Sequence, residues 1–480
     1  MRIPFSKEQI IDRMKFENPW WEQGSIENYY LKMKRREYFQ LLFPLITESK
    51  IKRAVVLMGP RRVGKTVMLF QSVQELITQG VPVNNICYLS VETPIYNGIG
   101  LDELLNYYFE ITNNNRNSTG LYIFFDEIQY LKNWEVHLKS LVDSFHNIKF
   151  IVSGSAAAAL KLKSTESGAG RFTDFVLPPL TFHEYLSLKG IEGLIKNAEN
   201  MGTGLIDYET TDISSLNKHF IDYINYGGYP EVSLSTEIQS DPGRYIRNDI
   251  IDKVLLRDLP ILYGIEDVQE LNSLFTYIAY NTGCEMSLDS ISQSSGVSKN
   301  TIKKYISYLE AAFLISVINR IDNNGKKFKR ANFFKIYLTN PSLRCACFSP
   351  IKEDDNFMGN LVETAIFSQW QHQDDPLYYA RWKNGEVDIV YLSPADQKPS
   401  WGIEIKWSNK CVTDWSELKN LKEFCTTHKI RNPAITTYDV LKEKKLDGFN
   451  YSFVPSSLYC YNVGRNLFTS KNTILRPIDF

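Results

Sequence analysis

The chain has 480 residues, of which 43% are hydrophobic and 23% charged, and its formal net charge is −1. This length and balance predict a globular protein of two or three domains, and they exclude a generally basic nucleic-acid binder. Seven scattered cysteines are not typical of a disulfide scaffold, and we find no 18-residue apolar span. We therefore expect a cytoplasmic protein with no membrane partner.

A phosphate-binding loop follows the first predicted strand, Ala54–Met58, and precedes a predicted helix, Thr66–Leu76. The loop consists of Gly59, Pro60, Arg61, Arg62, Val63, Gly64, Lys65 and Thr66. Such glycines let backbone N–H groups turn toward a phosphate at the positive end of a helix. The lysine then reaches the β and γ phosphates, and the threonine hydroxyl ligates Mg²⁺. We expect ATP and Mg²⁺ as cofactors.

An acidic pair, Asp126-Glu127, ends the apolar run Leu121–Phe125. The aspartate is placed to hold the Mg²⁺ shell, and the glutamate to orient and deprotonate the attacking water. A further predicted strand, Ile86–Val91, lies between the loop and this pair in the sequence, and Lys149–Ser153 follows them. Four strands with helical intervals predict an α/β fold with a doubly wound parallel sheet, whose ligand lies at the carboxyl ends of the strands. We expect ATP hydrolysis rather than binding alone.

Residues around the predicted ATPase site raise the question of whether neighbouring chains contribute to it. Ser155 can sense the γ-phosphate, although a polar turn explains it equally well. Arg171 follows a polar loop, 164–170, and can neutralise transition-state charge in its own subunit or in a neighbour's; an ordinary surface arginine is the alternative. We predict that Trp20 and Trp21 pack on the chain's own core rather than on a neighbour. A homo-oligomer is thus a candidate assembly.

A small helical unit is predicted at 268–320. Its apolar spacing gives two helices around a tight turn at Gly296, which is the helix-turn-helix pattern. The outward positions of its second helix are Ser298, Lys299, Asn300, Lys303 and Lys304. These side chains can face DNA phosphates and base edges, or they form the solvated face of an interaction module. A basic run, 326–330, favours nucleic acid as a partner, although it fits a solvated hairpin loop equally well.

Charged residues of the last third form an unexpected constellation. Glu363 lies in a predicted helix, Asp388 lies in a predicted strand, and Glu404 and Lys406 alternate on one face of a further strand. Three carboxylates and a lysine in the D-x(n)-E-x-K pattern can hold Mg²⁺ against a phosphodiester. A solvated strand face with one ion pair is the alternative. We expect the four side chains to converge if they form one nuclease-like site.

The chain resembles prokaryotic AAA-type ATPases that carry a carboxy-terminal restriction-endonuclease-like domain of unknown function. The residues that carry the resemblance are Asn18-Pro19-Trp20-Trp21, the loop 59–66, Asp126-Glu127-Ile128-Gln129, Gly154-Ser155, Gly170-Arg171, Pro179-Leu180-Thr181-Phe182-His183-Glu184-Tyr185, Gly227-Gly228-Tyr229-Pro230, and the set Glu363, Asp388, Glu404 and Lys406. The resemblance implies an ATPase module, a winged-helix segment and a nuclease-like tail. The chain departs from the fullest nuclease pattern, because Glu386-Val387 stands where a proline would precede Asp388.

Five segments and two classes of function follow. The segments are an amino-terminal extension at 1–50, an AAA-type core at 51–190, a helical lid or connector at 191–265, a winged-helix-like segment at 266–325 and a restriction-endonuclease-like domain at 326–480. The first class is an ATPase coupled to DNA engagement, with a metal-dependent nuclease-like tail. The second is a nucleotide-switched signalling or scaffolding ATPase whose tail is an inactive binding module.

Overall fold

The computed structural model describes residues 5–155, 170–198, 207–326, 332–370 and 376–469. The chain divides into two compact units, Met1–Pro178 and Pro179–Phe480. The polar loop before Arg171 and most of the basic run at 326–330 lie outside the described residues. The division into five segments remains a prediction. Across the described ranges, no helix combines the length and the apolar character that crossing a membrane requires.

The amino-terminal unit is built on a parallel sheet with the strand order β2-β3-β4-β1-β5. Its strands are β1 Ala54–Met58, β2 Ile86–Ser90, β3 Leu121–Asp126, β4 Ile148–Gly154 and β5 Phe172–Val176. Every residue of β1 is buried, as expected for an apolar strand that is covered on both faces. In the sheet β4 separates β1 from β3, whereas in the sequence β2 separates them. The parallel sheet with its helices confirms the predicted P-loop α/β class for this unit.

Helices connect and cover these strands. In the described part of the unit the α-helices are Lys7–Glu17, Trp20–Gln23, Asn28–Leu31, Phe39–Thr47, Lys65–Thr78, Leu101–Thr112 and Trp134–Ser144. The helix Lys65–Thr78 starts directly after β1 and the loop, so its amino terminus lies at the carboxyl end of β1. That placement aims the free N–H groups of its first turn at the predicted ligand position.

The amino-terminal segment satisfies the backbone of the edge strand β2. Asn18 is buried; its side chain accepts from the Tyr88 N–H at 2.6 Å and donates to the Tyr88 carbonyl at 2.8 Å. The Nε1 atoms of Trp20 and Trp21 donate to the Ile86 carbonyl at 3.0 and 2.8 Å. The prediction that the two tryptophans pack on the chain's own core is confirmed. These contacts also protect an edge that would otherwise be open to pairing with another chain.

The second unit contains a nine-stranded mixed sheet with the order β15-β16-β14-β13-β12-β11-β9-β10-β8, and a separate pair β6-β7. The pair is β6 Ile195–Asn197 and β7 Tyr208–Thr210. The strands of the large sheet are β8 Glu285–Ser287, β9 Ile315–Ile321, β10 Phe333–Leu338, β11 Leu377–Trp382, β12 Gly385–Leu392, β13 Pro399–Glu404, β14 Ala434–Thr437, β15 Lys442–Leu446 and β16 Phe449–Pro455.

The two segments predicted as winged-helix-like and endonuclease-like share this sheet. The helices Val268–Tyr280, Leu288–Ser295 and Lys299–Ala311 alternate with β8 and β9, in the order helix, strand, helix, helix, strand. β10 pairs antiparallel with both β8 and β9, and β9 pairs parallel with β11. The predicted boundary at 325–326 therefore falls between two paired strands.

Helices and apolar clusters cover the large sheet. One cluster includes side chains of the helices Met358–Trp370 and Ser456–Thr469, and another includes side chains of Lys419–His428. The other α-helices of the described part are Phe182–Lys189, Ile213–Tyr226, Pro230–Leu234, Thr236–Ser240, Leu259–Tyr263, Ser342–Cys347 and Lys410–Thr413. Two π-helical stretches, Gly243–Asp252 and Val254–Asp258, precede Leu259.

Candidate functional sites

The loop after β1 has the backbone that a phosphate cradle needs. Gly59 and Gly64 have φ values of +154° and +97°. Residues other than glycine rarely adopt these values. A Cβ atom on Gly59 would lie 2.1 Å from the Leu177 carbonyl oxygen, so this position has no room for a side chain. Gly64 is the N-cap of the helix that begins at Lys65. The loop can thus present its N–H groups at a helix amino terminus.

Two buried cationic side chains donate hydrogen bonds to backbone carbonyls of the loop. Lys65 donates from Nζ to the carbonyls of Gly59 at 3.0 Å and Pro60 at 2.8 Å. Arg36 donates to the carbonyls of Val63 at 3.0 Å and Pro178 at 2.7 Å. Both side chains are buried. The Lys65 ammonium is therefore already inside the cradle, where a nucleotide phosphate can replace the carbonyls as its partner.

Asp126 accepts four hydrogen bonds at the carboxyl end of the sheet. Its Oδ2 accepts from Thr66 Oγ1 at 2.7 Å and from the Tyr88 hydroxyl at 2.7 Å. Its Oδ1 accepts from the hydroxyl of Ser153 and from the Glu127 N–H at 3.1 Å. A threonine hydroxyl and a carboxylate oxygen this close are the ligand types that P-loop proteins use for Mg²⁺. The predicted pair Thr66 and Asp126 fits the metal.

Glu127 directly follows β3 and has a left-handed backbone, with φ +54°. Its carboxylate accepts from Gln129 Nε2, and Gln129 Oε1 accepts from the Ser155 N–H at 3.2 Å. Burial raises the pKa of Glu127, and the nearby charge of Lys65 opposes that rise. Glu127 is thus a partly desolvated, oriented carboxylate next to the phosphate loop, as a general base requires.

Ser155 lies one residue beyond β4 and is buried. Its Oγ has no hydrogen-bond partner among the described residues. Because β4 lies between β1 and β3, the strand end places Ser155 between the loop and the acidic pair. That position suits the predicted contact with a γ-phosphate.

In its own chain, Arg171 does not lie near the phosphate loop or the acidic pair. It immediately precedes β5, and its carbonyl accepts from the Ala54 N–H at 2.9 Å, which places it at the amino-terminal end of β1. Its side chain donates to Asp143 at 3.0 Å. The loop is at the opposite end of the same strand, so the structure does not bring Arg171 to the loop within its own subunit.

Three contributors to the ATPase site were missed. Tyr88, Gln129 and Arg36 were not assigned roles, because their contacts with Asp126, Glu127 and the loop depend on folding. Tyr88 carries a recognisable signal, since a tyrosine in the otherwise buried strand β2 needs a partner for its hydroxyl. Arg36 was only one member of a basic cluster in the sequence.

The structure brings together the four charged residues predicted in the last third. Ile389 pairs with Ile403 across β12 and β13, so Asp388 and Glu404 are the next pair on a shared face. Asp388 accepts from the Ile405 N–H at 2.8 Å, and Lys406 pairs with Glu404 at 2.8 Å. Glu363 reaches the same region from the helix Met358–Trp370.

Lys335, which sequence reasoning missed, lies among these carboxylates. Its Nζ is 2.8 Å from Glu363 Oε1, 2.7 Å from Glu386 Oε1 and 3.6 Å from Asp388 Oδ1. The signal in the sequence was a lone lysine inside the apolar strand Phe333–Leu338. A cavity of about 360 Å³ opens beside the group.

Burial is the largest cause of the raised pKa values of Glu363 and Glu404. Burial raises the pKa of Glu363 to about 7, with Lys335 opposing and Asp388 adding to the rise. Burial and the charge of Asp388 raise the pKa of Glu404 to about 8, with Lys406 opposing. Burial alone would lower the pKa of Lys406, but Glu404 and Asp388 raise it above its usual value. The two lysines are therefore the firmly charged members.

The cluster does not fit the predicted divalent metal. Within the ranges that the structure describes, no group of three histidine, cysteine, aspartate or glutamate side chains is arranged to hold a metal ion. The ammonium of Lys335 is the centre on which Glu363, Glu386 and Asp388 converge. The expected convergence is found, but a metal-holding set is not.

The predicted second helix of the helix-turn-helix pattern is Lys299–Ala311, and Ser298 is its N-cap. Its inner side chains are buried, among them Ile302, Tyr305 and Leu309. The predicted outward residues are all exposed: Ser298, Lys299, Asn300, Lys303 and Lys304. Lys299 pairs with Asp289 of the preceding helix.

Comparison with known families defines the class of the first unit. Residues 51–186 match the model of an AAA domain. With the loop and the parallel sheet, this match supports an AAA-type, nucleotide-binding domain in the amino-terminal unit. Residues 217–355 match a domain of unknown function (DUF8612).

Similar proteins extend over most of the chain. It is 26% identical over 395 residues to the uncharacterized protein MJ1544 of Methanocaldococcus jannaschii, covering 81% of this chain and 83% of that protein. It is 26% identical over 367 residues to an uncharacterized protein of Haemophilus influenzae, covering 75% and 83%. The S. cerevisiae Hsp104-ADP complex aligns at a TM-score of 0.30 and 14% identity over 58% of this chain and 38% of that one. A TM-score this low does not establish a shared fold.

Proposed function

We propose that the amino-terminal unit hydrolyses ATP at the loop 59–66. The observation that carries the proposal is the 2.7 Å hydrogen bond from Thr66 Oγ1 to Asp126 Oδ2, with the carboxylate of Glu127 on the next residue. A hydroxyl and a carboxylate at this separation can share one Mg²⁺ shell, and a neighbouring glutamate can serve the attacking water. The AAA match of residues 51–186 supports the same reaction.

Each residue of the proposed site has a distinct role. Lys65 exchanges its carbonyl partners for β and γ phosphate oxygens, and the loop N–H groups bind the phosphates. Glu127, held by Gln129, orients the water and accepts its proton. Thr66 and Asp126 would hold Mg²⁺, which when bound neutralises phosphate charge. Ser155 supplies a free hydroxyl toward the γ-phosphate.

A role for Arg171 in this reaction requires a second copy of the chain. Within one chain the arginine lies at the end of β1 that is opposite the loop. A neighbouring copy in a homo-oligomer could present the arginine to the γ-phosphate. Arg171→Ala would then lower turnover only at protein concentrations at which the chain self-associates, as measured by light scattering.

Phosphate release tests the ATPase proposal. The purified chain should release phosphate from ATP in the presence of Mg²⁺, and Lys65→Ala should reduce the rate by roughly 100-fold or more. Lys52→Ala is the matched control, because Lys52 is an exposed lysine outside the loop. Hydrolysis at the wild-type rate by Lys65→Ala would exclude this site.

We also propose that the second unit engages DNA through the helix Lys299–Ala311. The support is the exposed set Ser298, Asn300, Lys303 and Lys304 on the second helix of a helix-turn-helix pattern. Lysines in such positions neutralise phosphates and release counterions. Metal-dependent cleavage is not part of this proposal, because the ammonium of Lys335 lies where Glu363, Glu386 and Asp388 converge.

Salt-dependent binding tests the DNA proposal. Replacing Lys303 and Lys304 by alanine should weaken duplex binding and reduce the slope of log affinity against log salt by about 2. Lys398→Ala is the control, since Lys398 is exposed on a turn of the large sheet. Absence of DNA binding by the wild-type chain would favour the alternative, a nucleotide-switched scaffolding ATPase whose tail binds another partner.

A further inference from the structure

Lys335 is an unusual lysine, because its side chain is 3% exposed and its ammonium is surrounded by carboxylates. Glu363 approaches it from the helix Met358–Trp370, and Glu386 and Asp388 approach it from β12, at 2.8, 2.7 and 3.6 Å. The ring of Tyr379 lies 5.4 Å from the same nitrogen. Burying an ammonium is costly unless it is paired, and this ammonium is paired on several sides.

The surrounding groups hold these carboxylates in place around the lysine. Tyr337, two residues farther along β10, donates to the Glu363 oxygen that accepts from Lys335. Arg381 pairs with the other oxygen of Glu386 at 2.7 Å. The carboxylates are thus directed at the ammonium by partners that do not themselves bind metals.

A divalent metal would compete with Lys335 for the same oxygens. Mg²⁺ and Mn²⁺ need several oxygen ligands around one point at short distances, and this point is where the ammonium lies. A metal beside a buried ammonium would face like-charge repulsion in a region of low dielectric. The two cations therefore exclude each other.

We propose that Lys335 is the resident cation of the carboxy-terminal cluster and takes the place of a divalent metal there. The lysine ammonium is a permanent positive charge shared by Glu363, Glu386 and Asp388, so the cluster does not take up metal. Unlike a bound metal, this cation cannot be removed by a chelator or exchanged. The inference does not depend on ATP hydrolysis or on DNA engagement.

Manganese binding to the 480-residue chain without nucleotide tests this inference, with electron paramagnetic resonance to count free Mn²⁺. Wild type and Asp388→Asn should bind equally little Mn²⁺. Lys335→Met, which is unbranched, one atom shorter and uncharged, should gain about one bound Mn²⁺ per chain. The double variant Lys335→Met with Asp388→Asn should lose that gain, and Lys442→Met, at an exposed lysine of β15, should behave as wild type.

Two results would overturn the inference. One is Mn²⁺ binding by the wild type that Asp388→Asn removes; the other is a folded Lys335→Met that gains no Mn²⁺. The comparison of wild type with Asp388→Asn needs no lysine variant, so it can overturn the inference even if Lys335→Met does not fold. Neither nucleotide nor DNA is present, so failure of the ATPase or DNA proposals would not affect the result.

Discussion

Tyr88 donates its hydroxyl hydrogen to Oδ2 of Asp126 at 2.7 Å, the oxygen that also accepts from Thr66. Burial and the charge of Asp126 raise the pKa of Tyr88 well above its usual value, so the hydroxyl stays a donor. Its backbone is in turn fixed by the side chain of Asn18. The amino-terminal segment therefore helps to orient the carboxylate proposed to hold Mg²⁺.

Replacing Tyr88 by phenylalanine should raise the Mg²⁺ concentration needed for half-maximal ATP hydrolysis. Removing one hydrogen bond to a charged group costs about 1.5 to 3 kcal/mol, which corresponds to roughly 10- to 150-fold. The maximal rate at saturating Mg²⁺ should change less, because Glu127 is untouched. Tyr107→Phe is the control, since the hydroxyl of this half-buried tyrosine donates to Glu103 away from the site. An unchanged Mg²⁺ dependence would show that Tyr88 only packs.

Replacing Gly59 by alanine should disrupt nucleotide binding, because the added Cβ would lie 2.1 Å from the Leu177 carbonyl oxygen. Gly80→Ala is the matched control: Gly80 also has a positive φ, +88°, but a Cβ there meets nothing within 4 Å. Both variants carry backbone strain of about 1 kcal/mol, and only Gly59→Ala adds the clash. Calorimetric titration should show that Gly80→Ala binds ATP and that Gly59→Ala has an affinity for ATP at least tenfold lower than wild type. Equal affinities would contradict the loop geometry.

The buried carboxyl of Glu404 should make stability depend on pH. Its pKa is raised from 4.5 to about 8, so between these values the folded chain holds a proton that the unfolded chain releases. The free energy of unfolding should therefore fall as pH rises through this window. Glu404→Gln removes the titration, so its stability relative to wild type should grow from about pH 5 to pH 8 by at least about 1.4 kcal/mol, the equivalent of one pKa unit.

Urea unfolding at several pH values measures this difference. Glu443→Gln provides the control, because Glu443 is exposed on β15. A constant difference between Glu404→Gln and wild type over the window would mean that the carboxyl is ionised throughout.

The sequence predicted those parts of the sites that depend on local chemistry. The phosphate loop, Asp126 and Glu127 stand beside strands whose apolar runs are unbroken, so their positions follow from topology alone. Strand alternation and a D-x(n)-E-x-K spacing can both be recognised in the sequence. They predicted the convergence of Glu363, Asp388, Glu404 and Lys406.

Contacts between distant segments could not be predicted in this way. Lys335 is 28 residues from Glu363 in sequence, and its position among the carboxylates depends on the pairing of β9 with β11. Arg171 shows the reverse case: it stands near the ATPase motifs in the sequence, but the direction of β5 places it at the far end of the sheet. The sequence shows which side chains are charged, but it does not show which oppositely charged side chains they contact in the folded protein.

Single-turnover hydrolysis by Glu127→Gln is the most direct test of the central claim, that this chain hydrolyses ATP at the loop 59–66 with Glu127 as the base. Glutamine preserves the size of the side chain and removes its proton-accepting capacity. With enzyme in excess over labelled ATP and Mg²⁺ present, the variant should bind ATP as tightly as wild type and release phosphate at least about 100-fold more slowly. Phosphate release at the wild-type rate would contradict the account.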